Sequence, residues 1–127
     1  MIATTIEQSR RLIELGLDPA SADMEYCYID EFNSGLQVKG DINAEVDRRL
    51  DMMFGVTHIP AWSLSALLEV MPRPDLYRET ADLWVCVTFF KEGSIRGFGE
   101  TAIDAACDTI TKMFGRGYLK KKGDNDE

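Results

Sequence analysis

Histidine occurs once, at position 58, and cysteine three times, at 27, 86 and 107. Three cysteines cannot all pair, and no two stand in a Cys-x-x-Cys spacing. Neither a disulfide framework nor a structural zinc site is indicated, and the thiols read as free in a reducing compartment, each a small buried apolar residue. Long apolar runs are missing too, since nothing approaches the roughly 18 residues of a membrane helix. The opening Met1-Ile2-Ala3-Thr4-Thr5-Ile6-Glu7 lacks the basic start and apolar stretch of a signal peptide. The cytoplasm is the expected location.

Positive charge is in short supply: 14 Lys and Arg stand against 22 Asp and Glu, a net charge of −8. Such a chain repels phosphate backbones at long range, which disfavours non-specific nucleic-acid binding. The acidity is concentrated in residues 18–51, with nine acids against three bases, whereas residues 73–122 carry nine bases against seven acids. A nucleic-acid role would need Arg73, Arg78, Lys91, Arg96 and Arg116 gathered on one face.

What is present is the composition of an ordinary globular domain, 45% hydrophobic and 28% charged over 127 residues. At this size folding removes roughly two-thirds of the unfolded surface, enough for one core and too little for two domains. We expect a single α+β domain over residues 1–119 and a disordered charged tail over 120–127, which has no apolar residue.

The local signals are uneven along the chain. Thr4 with Glu7, or Thr5 with Gln8, fits a capping box, and Gly16-Leu17 fits a Schellman ending, so a helix is predicted near 5–15. Tyr26–Ile29 and Leu36–Val38 could be short strands around an Asn33-Ser34-Gly35 turn. Ile42, Val46, Leu50 and Met53 recur at helical spacing, predicting a helix near 42–54 in the acid-rich and least buried stretch. Ser63 reads as the N-cap of a helix near 64–71, with Trp62 and Leu67 as its hydrophobic staple and Pro72 as its stop. About three antiparallel strands follow, near 75–79, 83–91 and 94–99. The second has apolar residues on both faces, as in a central strand covered twice. A last helix near 102–114 is capped by Thr101 and stopped by Gly115. Its outer stripe Glu100, Asp104, Asp108, Lys112 and Arg116 runs from acids to bases, in the order that complements the helix dipole.

Candidate chemistry is sparse. Gly97-Phe98-Gly99-Glu100-Thr101-Ala102 fits the dinucleotide pattern G-x-G-x-x-A. Glu100 and Asp104, however, already place negative charge where a pyrophosphate would sit, and no second βα unit follows. A flexible turn into a capped helix is the expected role. Asp41-x-Asn43-x-Glu45 has Val46 where a calcium loop needs glycine. His58 could serve as a general base only if the fold brings a nucleophile and an orienting acid to it; otherwise it is a loop histidine bonded to backbone. Asp104 and Asp108, one turn apart, read as a solvated pair. Trp62, Tyr77, Trp84 and Phe90, with Phe89, could form an aromatic partner surface, the alternative being core packing. Three strands leave open edges, which allows self-association as a homodimer.

The segment Ile59-Pro60-Ala61-Trp62-Ser63-Leu64-Ser65-Ala66-Leu67-Leu68-Glu69-Val70-Met71-Pro72 resembles one found in a family of small uncharacterised bacterial and prophage proteins. There, too, a Leu-Tyr strand and a Trp-centred strand follow (here Leu83-Trp84-Val85-Cys86), and then a Thr-x-x-x-Ala-Ala helix ending in Gly-Tyr-Leu (here Thr101–Ala106 and Gly117–Leu119). The opening Ile-Glu-Gln-Ser helix with Leu15-Gly16-Leu17-Asp18-Pro19 is similar as well. The likeness covers about 1–25 and 58–119, implies a phage-type sandwich of helices around a short antiparallel sheet, and brings no activity or ligand. Leu83–Phe114 more distantly resembles the antitoxin half of HicAB-type toxin–antitoxin pairs, which would imply a HicB-like antitoxin or regulatory protein with a basic partner. The sequence reading is a non-enzymatic cytoplasmic protein-interaction protein of mobile-element or accessory origin. It carries no inferred metal, cofactor, small-molecule ligand or membrane contact. A HicB-like antitoxin and a small enzyme using His58 stand as alternatives.

Overall fold

Thr5 accepts a hydrogen bond from the Gln8 nitrogen, and the Gln8 side chain accepts one from the Thr5 nitrogen, so the capping box forms on the second of the two predicted pairs. It opens α1 (Ile6–Leu15). Gly16 ends the helix in the left-handed region, and the Leu17 nitrogen bonds back to the Leu12 carbonyl 3.0 Å away. A short 3-10 turn, Pro19–Ser21, capped by Asp18, follows. The computed structural model describes residues 2–29, 32–38 and 56–119. The predicted helix near 42–54, the Asp41-x-Asn43-x-Glu45 motif and the 120–127 tail lie outside them.

The fold is α+β, as the sequence predicts, with six strands among the described residues rather than about three. The first sheet contains β1 (Met24–Ile29), β2 (Phe32–Val38) and β3 (Val56–Ala61), antiparallel in the order β2-β1-β3. The second contains β4 (Pro74–Thr80), β5 (Leu83–Phe90) and β6 (Gly93–Gly99), antiparallel in that order. Asn33-Ser34-Gly35 is therefore not a turn. Cys27 pairs with Gly35 and Tyr28 with Asn33, leaving Ser34 as the extra residue of a β-bulge. The segment around His58 is not a loop but strand β3.

Two helices complete the arrangement. α2 (Leu64–Val70) starts at Ser63, whose hydroxyl accepts from the Ala66 nitrogen and donates to the Asp23 carboxylate. α3 (Ala102–Gly115) starts at Thr101, which accepts from the Asp104 nitrogen. It runs through Gly115, and the left-handed residue beyond its end is Gly117. α3 lies along β6 and β5, α2 packs on α3, and α1 touches both α3 and β3. Between them sits one apolar core of Leu12, Trp62, Leu67, Cys86, Ile95, Ile103, Ala106, Ile110 and Met113, among others.

Glycines set how closely α3 approaches the second sheet. A Cβ on Gly97 would collide with the nitrogen and hydroxyl of Thr109 and stand 2.6 Å from the Ala105 carbonyl oxygen; one on Gly99 would stand 2.5 Å from the Ala105 nitrogen. The G-x-G pattern is thus a strand on which a helix backbone rests, not a flexible turn. The Thr109 hydroxyl stays satisfied in this contact, donating within 2.9 Å of the Cys86 carbonyl and 3.0 Å of the Ala105 carbonyl. We expect Gly97→Ala to lower the urea-unfolding free energy by about 2–3 kcal/mol through overpacking. Gly115→Ala, whose added carbon meets nothing within 4 Å, should gain roughly 0.5–1 kcal/mol from helix propensity.

Candidate functional site

Residues two apart on a strand share a face, and antiparallel partners opposite each other do the same. In the second sheet Leu76, Cys86 and Gly97 lie in one row, which faces α3. The other face carries two rows. Tyr77 pairs with Val85 and Val85 with Phe98; Asp75 pairs with Val87 and Val87 with Arg96. Phe89, opposite Ser94, extends it. Val85 and Val87 are buried, whereas Tyr77, Phe89 and Phe98 are 39%, 44% and 46% exposed. These three aromatics lie on one sheet face, each more than a third exposed.

The four residues expected to form a partner surface are therefore divided. Tyr77 is on the exposed face. Trp62 is not at the surface at all: it is fully buried, and its indole nitrogen donates to the Ser21 hydroxyl at 2.9 Å. The Trp62 main chain exchanges hydrogen bonds with Thr4, its nitrogen donating to Thr4 Oγ1 and its carbonyl accepting from the Thr4 nitrogen. Trp84 and Phe90 point toward the α3 side, half-buried against the core, and Phe90 stacks on Tyr118 with ring centres 4.1 Å apart. Phe98 was hidden in the sequence because the flanking glycines drew attention to a loop motif. The alternation Ser94, Arg96, Phe98 in a strand is the signal that finds it.

The edges of this sheet are not equivalent. On β6 the outward Phe98 nitrogen donates to Asp108 Oδ2 at 2.9 Å, and the Arg96 carbonyl accepts from Lys112 Nζ at 2.9 Å. Asp108 and Lys112 pair with each other at 3.1 Å, and the Lys112 ammonium lies 5.0 Å from the Phe98 ring centre. Two side chains of α3 thus occupy the backbone groups that another strand would use. Asp104 is likewise engaged, accepting from the Gln8 side chain at 2.6 Å. The expected solvated carboxylate pair is a pair of docking contacts. The basic residues do not gather either, because Arg78 and Arg96 fall on opposite faces by register.

His58 has company in the first sheet. Glu25, from the acid-rich stretch expected to be least buried, is 4% exposed, and its Oε1 lies 3.6 Å from His58 Nδ1. That is an ion-pair distance when the imidazole is protonated, too long for a hydrogen bond. Cys27 stands directly opposite His58 in the β1–β3 register. A histidine and an acid facing its Nδ1 are thus brought together in the first sheet. Among the described residues, no group of three or more His, Cys, Asp or Glu side chains could hold a metal ion, and no helix is long and apolar enough to cross a membrane.

Comparison of the chain with protein-family models, curated proteins and solved structures gives no match.

Cys86 and Cys107 are free thiols. Burial pushes the Cys107 thiol up to about 12, helped by the negative charges of Asp104 and Asp108; burial raises Cys86 as well, against the hydrogen bond from Thr109. A thiol held above its ordinary value of 9.0 keeps its proton in the folded state over a range where the unfolded chain has lost it. The Cys107 contribution to stability is therefore full below pH 9 and is lost as pH rises through 12. We expect peptide mapping after iodoacetamide treatment at pH 8 to find both cysteines unmodified in the folded chain and fully modified in urea.

Proposed function

We propose that the chain is a protein-interaction protein without catalytic activity, an accessory protein of the phage type its sequence resembles, and that the outer face of the second sheet is its contact surface. The observation that carries this reading is the placement of Tyr77, Phe89 and Phe98, each more than a third exposed, around the buried Val85 and Val87 on a sheet fixed from behind by α3. Exposed aromatics on a rigid scaffold lose little conformational freedom on contact and bury a large area, which suits them to be anchors of an interface. Val85 and Val87 hold the aromatics apart on the strands, so the surface needs no rearrangement before it binds.

Catalysis through His58 remains the second reading, because Glu25 faces Nδ1 as an orienting acid would. General acid–base work needs a third group at the other end of the imidazole, and this is what the sheet-face reading does not require.

The test is size-exclusion chromatography with light scattering on the purified chain, alone and with clarified host lysate. We expect the wild type to run in a larger species, with itself or with another protein. The double variant Tyr77→Ser, Phe98→Ser should lose that species at least about tenfold, equivalent to about 1.4 kcal/mol, with its thermal unfolding midpoint unchanged. A wild type that stays at 14.3 kDa in both conditions overturns the reading.

A further inference from the structure

The same face is matched to itself. Each of its rows has unlike ends around a valine: Tyr77 and Phe98 around Val85, Asp75 and Arg96 around Val87. We propose that the partner on this face is a second copy of the chain, stacked face to face about a two-fold axis that runs along β5. The proposal rests on the interaction reading above and adds to it the occupant and the geometry.

A rotation by half a turn about an in-plane axis along the central strand exchanges β4 with β6 and keeps every row at its own height. Tyr77 then meets the partner's Phe98, and Phe98 meets the partner's Tyr77. Asp75 meets the partner's Arg96, and Arg96 the partner's Asp75. Two aligned sheets pack about 10 Å apart with an angle near −30° that comes from their twist, so the correspondence of rows survives the stacking. A closed dimer of this kind is isologous: each surface contact is made twice.

The charges are what select a second copy over another partner. Asp75 and Arg96 sit on the two outer strands, about 9–10 Å apart across β5 by strand spacing, and do not pair with each other. The exposed side chains of both make no hydrogen bond or ion pair among the described residues. The chain as a whole carries −8, and a general docking surface for a basic protein would share that sign. This face instead carries one acid and one base, placed so that each is opposite its complement after the two-fold. The β6 edge, closed by Asp108 and Lys112, is not available for pairing by strand addition, so a second copy is directed to the face. A face of three short strands lies at the small end of specific interfaces, below about 1,200 Å² in total, so monomer and dimer should exchange with concentration.

Charge reversal tests this with the full chain. Sedimentation velocity over a wide concentration range should show the wild type rising from 14.3 kDa toward twice that mass. Asp75→Arg gives a face with two bases and Arg96→Asp a face with two acids. Each alone should stay monomeric, at least about tenfold weaker in association because both charged contacts become like-charge pairs. An equimolar mixture of the two variants should form the dimer again, as a heterodimer, and the double variant Asp75→Arg, Arg96→Asp should dimerise like the wild type. Both positions are exposed, and circular dichroism with urea midpoints equal to the wild type confirms that all variants fold. A wild type monomeric at every concentration overturns the proposal, as do single variants that still dimerise or a mixture that stays monomeric. If the wild type is monomeric alone yet captures another protein through Tyr77 and Phe98, this proposal falls and the interaction reading stands.

Discussion

The close seating of α3 on β6 organises the rest of the molecule, and it depends on two positions where the strand has no side chain. Gly97 and Gly99 let the backbone of Ala105 and Thr109 come to contact distance. Four consequences follow from that one approach. Thr109 reaches the Cys86 carbonyl; the small Ala105 and Ala106 are fully buried; Asp108 and Lys112 overhang the outer margin of β6; and β5 presents Val85 and Val87 on the face away from the helix. With ordinary side chains on the strand, α3 would stand off by several ångströms and the edge contacts would be out of reach.

A second fixed point ties the first sheet to the helices. Thr4 is fully buried, its hydroxyl is 2.7 Å from that of Ser9, its carbonyl accepts from the Tyr26 phenol, and its nitrogen donates to Trp62. Trp62 is held at its main chain by Thr4 and at its indole by Ser21. A tryptophan placed this way fills the space between α1, α2 and α3 and has its one polar atom satisfied, the condition for burying such a ring without penalty. A residue of this size and apparent exposure in the sequence is therefore a core residue here, and the aromatic surface is assembled from smaller aromatics on strands.

The elements with strong local signals were legible in advance: the Thr5 box, the Ser63 cap, the Thr101 cap and the alternating run Leu83–Phe90 are local chemistry, and each formed where expected. β3 was not legible, because Val56–Ala61 contains His58 and Pro60 and gains its strand identity only from pairing with β1, a long-range event with no local signature. The bulge at Ser34 is hidden for a related reason: Asn-Ser-Gly suits a turn as well as a bulge. The exposed aromatic face was half legible. Tyr77 and Phe89, named from the sequence, are on the exposed face, but periodicity alone does not say which of the two apolar faces of β5 the helix covers, so Trp84 and Phe90 on the helix side were grouped with them and Phe98 was not. The glycines of β6 decide that question, since only the face bearing Gly97 and Gly99 can receive α3.

The overhang of Asp108 and Lys112 also bears on how the molecule behaves when crowded. Sheets with a bare margin can add like to like without limit, each new chain offering the same margin to the next. Here one margin is stoppered by an ion pair from the chain's own helix, and the opposite strand begins at Pro74 and is bulged at Glu79. Fibre growth from the second sheet is thereby denied a starting template on both of its sides, and at β6 this requires no partner, only that the last helix remain seated.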